Sequence, residues 1–324
     1  MKLSFLFFGN KPDEKWSLAR QMGISYAIAK LAPELTGALP PWDFESFKNS
    51  KEIFEEQGFN LYGLEGDQFD MNRIKLGLEG RDEDIELYCR MLENMGKLGL
   101  KLLCYNFMAG IGWYRTTKNI PERAGAWVNG FDSSVADAEP LTEFGSVAAE
   151  KIWENYKYFL QRVMPVAEKW NVKMALHPDD PPVPVLRGIG RIFINADATR
   201  KALGLSASPS HGLTFCQGTY TTMAEDVKSL IHEFKHRIFF VHIRDVQGNR
   251  YNFHETFHDN GPTDMVEMFR TYKAIGFDGP LRSDHVPTMA GESNEHSGYE
   301  MKGNLFGIGY MKGIMEAVGI KENG

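Results

Sequence analysis

Short apolar runs alternate with helical segments along almost the whole chain, and this alternation limits the possible folds more than any other feature. The runs are four to seven residues long, which is typical of buried strands. No linker rich in Gly, Pro or Ser divides the 324 residues, so we predict a single domain over residues 1–324. The predicted strands are residues 3–8, 24–29, 59–64, 100–106, 173–177, 213–216, 237–242 and 279–284.

Helical segments separate these strands, most clearly at residues 82–98, where acidic residues at the start precede apolar residues at helical spacing. Eight strands alternating with helices predict a (β/α)8 TIM barrel, which needs about 250 residues. The surplus includes residues 113–146, which have no clear period and are predicted to form a lid loop. The alternative is a doubly wound open sheet, but no GxGxxG motif follows the first strand.

Composition excludes several classes of protein. The formal net charge of -7 disfavours nucleic-acid binding, which needs a basic surface. The three cysteines form no CxxC pair, which argues against a disulfide framework and indicates a reducing, cytoplasmic location. The apolar start, residues 1–9, is too short for a signal peptide or a membrane span.

Four potential metal ligands stand at the ends of predicted strands five to eight, namely His177, Cys216, His242 and Asp284. Strand ends converge on one face of such a barrel, so these side chains are expected to meet. Two imidazoles, a thiolate and a carboxylate suit one divalent cation such as zinc, iron or manganese. Each residue alone has a structural interpretation, for example Cys216 as a small buried apolar residue.

A second motif, residues 232–236, matches the HExxH pattern of zinc proteases. It lies at the end of the helix before predicted strand seven, so a barrel places it on the face opposite the strand ends. We therefore predict that His232 and His236 form a solvated helix surface and not a metal site.

Several stretches together resemble the mannonate dehydratase family. They span most of the chain in order, and they are residues 103–108, 113–116, 175–182, 214–218, 240–244, 282–285 and 298–299. The resemblance implies a xylose-isomerase-like barrel with Mn2+ or Fe2+ held by the same four ligands. Departures at residues 109–110, 112, 283 and 286 flank the expected substrate site and leave the identity of the sugar acid open.

The resemblance also implies a reaction, the loss of water from an aldonic acid such as D-mannonate to give 2-keto-3-deoxy-D-gluconate, in hexuronate catabolism. The C2 hydrogen needs a base and the C3 hydroxide needs a proton. His285 and Tyr299 are the candidates for this pair, with their two roles unassigned. Asp179 and Asp180 are candidates to orient a ligand histidine. The predicted substrate-binding residues are Arg244, as a partner of the carboxylate, and Asn106, Arg115, His211 and Glu65.

Three other functions compete with this interpretation. A sugar isomerase or epimerase on the same barrel would share proton abstraction but would not release water. A DNA-repair endonuclease barrel conflicts with the negative net charge, and a sugar-acid sensor without activity conflicts with the presence of both His285 and Tyr299. The expected partner is a small sugar acid, with no nucleic acid and no membrane, and a homo-oligomer is also left open.

Overall fold

The computed structural model describes residues 1–321. Its strands are β1 (Lys2–Phe8), β2 (Tyr26–Lys30), β3 (Asn60–Glu65), β4 (Leu102–Tyr105), β5 (Thr117–Pro121), β6 (Trp127–Asp132), β7 (Lys173–Leu176), β8 (Val185–Leu186), β9 (Ile189–Gly190), β10 (His211–Cys216), β11 (Ile238–Ile243), β12 (Val246–Asn249), β13 (Asn252–Glu255) and β14 (Pro280–Ser283). Eight of them close a parallel barrel in the order β1-β14-β11-β10-β7-β4-β3-β2. The predicted (β/α)8 barrel is confirmed.

Twelve helices connect the strands of the described residues. They are α1 (Glu14–Gln21), α2 (Pro33–Thr36), α3 (Phe44–Glu56), α4 (Asn72–Leu76), α5 (Arg81–Lys97), α6 (Ser133–Asp137), α7 (Ala149–Lys169), α8 (Ala196–Gly204), α9 (Gln217–Thr222), α10 (Val227–Phe234), α11 (Met265–Ala274) and α12 (Met301–Ala317), with a 3-10 turn at Arg123–Gly125. Within residues 1–321, no helix combines the length and the apolar character that crossing a bilayer requires.

Local chemistry explains where several helices begin. A carboxylate or amide oxygen of the residue before the helix accepts a backbone N–H of the first turn, which stabilises a helix start by about 1 kcal/mol. Residues that cap in this way are Asp13, Asp43, Asp132, Asn195, Asp226 and Asp264. The predicted helix at residues 82–98 is present as α5 with acids in its first turn.

Side-chain alternation along the strands produces two apolar layers. In β4, Leu102 and Cys104 point into the barrel and pack in a small interior cluster, whereas Leu103 and Tyr105 point outward into the larger core beneath the helices. Because every barrel strand is covered on both faces, its sequence is an almost continuous apolar run. This is why the strands are visible in the sequence.

A second sheet covers the carboxyl end of the barrel. It has the order β12-β13-β6-β5 and joins two segments that are far apart in the chain, one after β4 and one after β11. We call these four strands the roof sheet. Residues 113–146 were predicted as a loop, but they contain β5, β6 and α6. The pattern was missed because β6 pairs with β13, a partner outside the stretch.

Candidate metal centre and active site

The four predicted ligands come from strands that are neighbours in the barrel, β7, β10, β11 and β14. Cys216 is the last residue of β10 and pairs in register with His242. His177 and Asp284 directly follow β7 and β14. One ligand atom from each residue lies within 4.8 Å of all the others. The structure therefore brings the predicted set together at one point above the barrel.

The hydrogen bonding of the two histidines shows whether the four residues fit a divalent cation. His242 is 1% exposed, and neither of its ring nitrogens has a hydrogen-bond partner among residues 1–321. A buried imidazole that makes no hydrogen bond is unfavourable unless something binds it. His177 lies 2.7 Å from the Pro178 carbonyl through Nδ1, which turns its Nε2 away from the loop. Two imidazoles, a thiolate and a carboxylate fit Mn2+, Fe2+ or Zn2+.

Glu65 faces the same imidazole. Its Oε2 lies 3.5 Å from His242 Nε2, and His242 Nδ1 lies 3.8 Å from Asp284 Oδ1. Burial opposes ionisation of Glu65, but Arg282 and His242 lower its pKa to about 2. An ionised carboxylate behind a ligand histidine fixes the ring and its tautomer. Glu65 is placed to orient His242.

Two guanidinium groups hold Asp284 in its ionised form. Arg244 Nε lies 2.9 Å from Asp284 Oδ2, and an Arg282 terminal nitrogen lies 3.0 Å from Oδ1. Burial would raise the pKa of Asp284, but neighbouring positive charges, including the two arginines, hold it well below its usual range. The carboxylate is therefore ready to bind a cation without first losing a proton.

The proposed proton-transfer pair is assembled beside the ligands. His285 Nε2 lies 3.0 Å from the Tyr299 hydroxyl. An isolated β-bridge between Val286 and Gly298 fixes the loop that carries Tyr299 against the barrel. The Trp113 ring lies against the His285 ring, with centroids 4.8 Å apart. Burial and the nearby Asp284 raise the pKa of Tyr299, so its hydroxyl is neutral at neutral pH.

A cavity of about 350 Å³ opens onto this centre, which is large enough for a six-carbon sugar acid. Three of the four ligands line it, together with His285 and Tyr299. Glu65 and Asn106, both predicted to bind substrate, line it as well. The other lining residues are Leu6, Phe8, Lys30, Gly66, Asp67, Cys104, Tyr105, Met108, Gly112, Trp113 and Arg282.

Comparison with known proteins agrees with this geometry. The family model for D-mannonate dehydratase (UxuA) matches residues 1–144 and 137–323. The mannonate dehydratase of Enterococcus faecalis is 31% identical over 360 aligned positions, covering 100% of this chain and 99% of that protein. The chain belongs to the mannonate dehydratase family. The relatives are named mannonate dehydratases, and a dehydratase is a hydro-lyase, so the chain is an enzyme of that class.

Solved structures support the same placement. The crystal structure of mannonate dehydratase from Streptococcus suis superposes with a TM-score of 0.90 at 28% identity, covering 100% of this chain and 97% of that chain. A xylose isomerase domain protein from Planctomyces limnophilus gives a TM-score of 0.62 at 12% identity, with 98% and 97% covered. The second likeness shows the fold alone, and it confirms the xylose-isomerase-like barrel.

Arg244 and Arg115 do not face the cavity, contrary to their predicted role in binding substrate. Both side chains are 0% exposed and lie between the carboxylates of Asp180 and Glu255. Arg244 Nε is also 3.4 Å from Cys216 Sγ. Their hydrogen-bonding capacity is used inside the protein, because buried charges must be paired. We call Arg115, Arg244, Asp180 and Glu255 the arginine cluster.

The prediction for His211 is wrong. It is the first residue of β10, at the opposite end from Cys216. Its ring is fully buried and lies 3.0 Å from the Tyr156 hydroxyl in the layer between barrel and helices. Burial lowers the pKa of His211 to about 4, so the ring is a neutral core group.

The two aspartates predicted to orient a ligand histidine contact other groups instead. Asp180 lies in the arginine cluster. Asp179 Oδ2 accepts the backbone N–H groups of Ile192 and Phe193 at 2.7 and 2.9 Å and so holds a neighbouring loop. In their place, Glu65 and the Pro178 carbonyl face the ligand imidazoles.

Sequence reasoning did not assign a role to Arg282, Lys30 or Glu255. Arg282 was part of a recognised stretch and lines the cavity, and its position two residues before Asp284 was the available signal. Lys30 ends β2 and lines the cavity. Glu255 ends β13, a strand that the sequence did not reveal, so nothing indicated that it reaches the site.

The HExxH pattern lies where the barrel prediction put it. His232 is exposed on α10, and His236 lies beyond the end of this helix. Glu233 is engaged by Arg200 through two contacts of 2.6 and 2.7 Å. His236 lines a different cavity, at the amino end of the barrel.

Proposed function

We propose that the protein dehydrates D-mannonate or a closely related aldonic acid to a 2-keto-3-deoxy sugar acid. One observation carries the proposal, namely that His285 and Tyr299 lie beside a four-residue donor set in a cavity sized for such an acid. Family membership and the named activity of the relatives support it.

The reaction removes a proton from C2 and hydroxide, as water, from C3, and the resulting enol becomes the ketone. His177, Cys216, His242 and Asp284 would hold one divalent cation, proposed to be Mn2+ or Fe2+. When bound, such a cation acts as a Lewis acid and stabilises the negative charge that develops next to the substrate carboxylate. Arg244 does not line the cavity. Arg282 does, although its guanidinium also pairs with Glu65 and Asp284, and it replaces Arg244 as the proposed partner of the substrate carboxylate.

His285 and Tyr299 act as the proton-transfer pair of this proposal. The neutral phenol of Tyr299 is a proton donor, and an unprotonated ring nitrogen of His285 is an acceptor. Asn106 is held in place by Lys75 Nζ at 2.8 Å from its Oδ1, which leaves its amide nitrogen for a sugar hydroxyl. Glu65 serves by orienting His242.

The cellular setting is part of the same proposal. Cys89, Cys104 and Cys216 are all unpaired, and a thiolate ligand survives best in a reducing compartment. We propose a cytoplasmic enzyme of hexuronate catabolism.

The test is a panel of aldonic acids incubated with protein loaded with Mn2+ or Fe2+. The expected result is a 2-keto-3-deoxy product, with D-mannonate among the best substrates, and none from the Cys216→Ala variant. Conversion to an isomer without loss of water would replace the proposal by an epimerase or isomerase. No product from any acid, with metal bound, would also overturn it.

A further inference from the structure

The roof sheet sends one carboxylate into the active site. Glu255 ends β13 and is 1% exposed. Its Oε1 lies 3.0 Å from His285 Nδ1, while His285 Nε2 lies 3.0 Å from the Tyr299 hydroxyl. A continuous chain of contacts therefore runs from the roof sheet through the imidazole to the phenol.

The proton on the first of these contacts can be placed. Glu255 Oε2 lies 2.7 Å from Arg244 and Oε1 lies 2.6 Å from Arg115. Burial opposes ionisation, but these two guanidinium groups hold the pKa of Glu255 below its usual value. An ionised carboxylate only accepts hydrogen bonds, so His285 Nδ1 must carry the hydrogen.

The proton on the second contact follows from the first. In a neutral imidazole, which is the form that can accept a proton, one nitrogen donates and the other accepts. With the hydrogen on Nδ1, Nε2 presents a lone pair, and the Tyr299 hydroxyl donates to it. The opposite tautomer would set a lone pair against the Glu255 carboxylate at 3.0 Å, which is repulsive.

We propose that Glu255 is a positioning residue for the reaction, fixing His285 in the tautomer whose Nε2 accepts from Tyr299. The roof sheet thereby contributes to turnover and does more than cover the cavity. This inference rests on the proposed function only in naming the step that benefits. The tautomer itself is a property of the protein alone.

A second buried carboxylate provides the matched control. Asp180 is 1% exposed and pairs with the same arginines, at 2.8 Å from Arg115 and 2.8 Å from Arg244. Within residues 1–321, Asp180 makes no hydrogen bond with His285, whereas Glu255 does. Glu255→Gln and Asp180→Asn therefore remove the same charge from the same cluster, and they differ in what the carboxylate does to the histidine.

The kinetic experiment compares both variants with the parent protein at equal metal content. Glu255→Gln is expected to lower kcat by about 10²-fold with KM changed less than about threefold, because only the oriented state is lost. Asp180→Asn is expected to lower kcat by less than about fivefold, although both variants lose stability. Equal losses of kcat in the two variants, or an unchanged kcat in Glu255→Gln, would overturn the proposal.

A spectroscopic measurement keeps the inference testable if a variant fails to fold or no substrate is found. The parent protein, labelled with ¹⁵N-histidine and loaded with diamagnetic Zn2+, is examined by ¹⁵N NMR, and His285→Gln assigns the His285 signals. A protonated Nδ1 with an unprotonated Nε2 is expected. The reverse pattern, or protonation of both nitrogens at neutral pH, would refute the role of Glu255, whereas failure of the substrate panel alone would refute only the proposed activity.

Discussion

The two ends of the barrel are made by the same eight strands and have opposite chemistry. At the carboxyl end lie two histidines, a cysteine and an aspartate, and the buried imidazole of His242 makes no hydrogen bond within residues 1–321. At the amino end a cavity is lined by Lys2, Lys101, Lys173, Lys235 and His236, which are exposed or half-buried. The two ends differ because the roof sheet covers the carboxyl end and leaves the amino end open to solvent. A histidine or cysteine in this sequence therefore indicates a metal site only when the barrel places it at the carboxyl end.

Charge pairing differs between the two ends in the same way. In the arginine cluster, Asp180 is 1% exposed and contacts two fully buried guanidinium groups. At the amino end, Asp278 is 65% exposed and lies 3.5 Å from Lys2 and from the chain terminus. A similar pairing of charges is thus buried at one end and screened by water at the other.

The largest expected effect is removal of a ligand at the carboxyl end. Cys216→Ala and Asp284→Ala should each lose bound metal and nearly all turnover, because one of four donors is gone. The sequence neighbour of Asp284 gives the control, since His285→Ala should keep its metal and lose turnover only. Elemental analysis beside steady-state kinetics makes the measurement. A metal-free His285→Ala protein would contradict the division between ligand and proton-transfer group.

A smaller loss is expected when the phenol is removed. Tyr299→Phe deletes a proton donor and keeps the ring, so kcat should fall by about 10²–10⁴-fold with little change in metal content. Tyr251→Phe makes the same change at a tyrosine in the turn between β12 and β13, half of whose surface is in solvent, and should leave kcat unchanged. Full activity of Tyr299→Phe would remove Tyr299 from the mechanism.

Stability should distinguish the ends next. At pH 7, Asp180→Asn should lower the free energy of unfolding by about 3–5 kcal/mol, because two buried arginines lose a partner. Asp278→Asn should lower it by less than about 1 kcal/mol. The two variants can be compared by urea unfolding, and equal losses would show that burial under the roof sheet does not set the strength of the pairing.

The loss of stability in Asp180→Asn should depend on pH. Arg115 and Arg244 lower the pKa of Asp180 against the effect of burial. Its stabilisation is therefore complete above the ordinary aspartate pKa of about 3.9 and is lost as pH falls through the lower, folded-state pKa. The difference between the parent protein and Asp180→Asn should shrink below about pH 4. A difference that grows on acidification would have the wrong sign.

The smallest effect is expected at the amino end. The double variant His232→Ala/His236→Ala removes both histidines of the HExxH pattern, which are exposed. Surface changes of this kind alter stability by about 0.5 kcal/mol or less, and metal content and kcat should match the parent protein. Loss of metal from a folded double variant would reverse the assignment of the two ends.

Much of the carboxyl end could be predicted from sequence because of barrel geometry. Buried parallel strands are continuous apolar runs, and their last residues converge. His177, Cys216, His242 and Asp284 could therefore be grouped without a structure. The resemblance to a family added His285 and Tyr299, which strand patterns alone would not single out.

The failures also have physical causes. His211 was predicted to precede a strand at residues 213–216, but it begins β10, so it lies five positions before Cys216 and alternation puts the two side chains on opposite faces. The direction of Arg244 was not predictable, because two carboxylates from distant segments take up its guanidinium. Glu255 was missed because β13 lies between β12 and β6, and β6 comes from a distant segment of the chain.

The roof sheet has a consequence for how the enzyme folds. Its two halves follow β4 and β11, so Arg115 and Glu255, which are 140 residues apart in the chain, meet only after the barrel has brought these strands together. Such contacts are slow to form until intervening segments have already compacted. During refolding, the far-ultraviolet signal of the barrel should recover before turnover does. Catalytic competence would then report the last step of assembly.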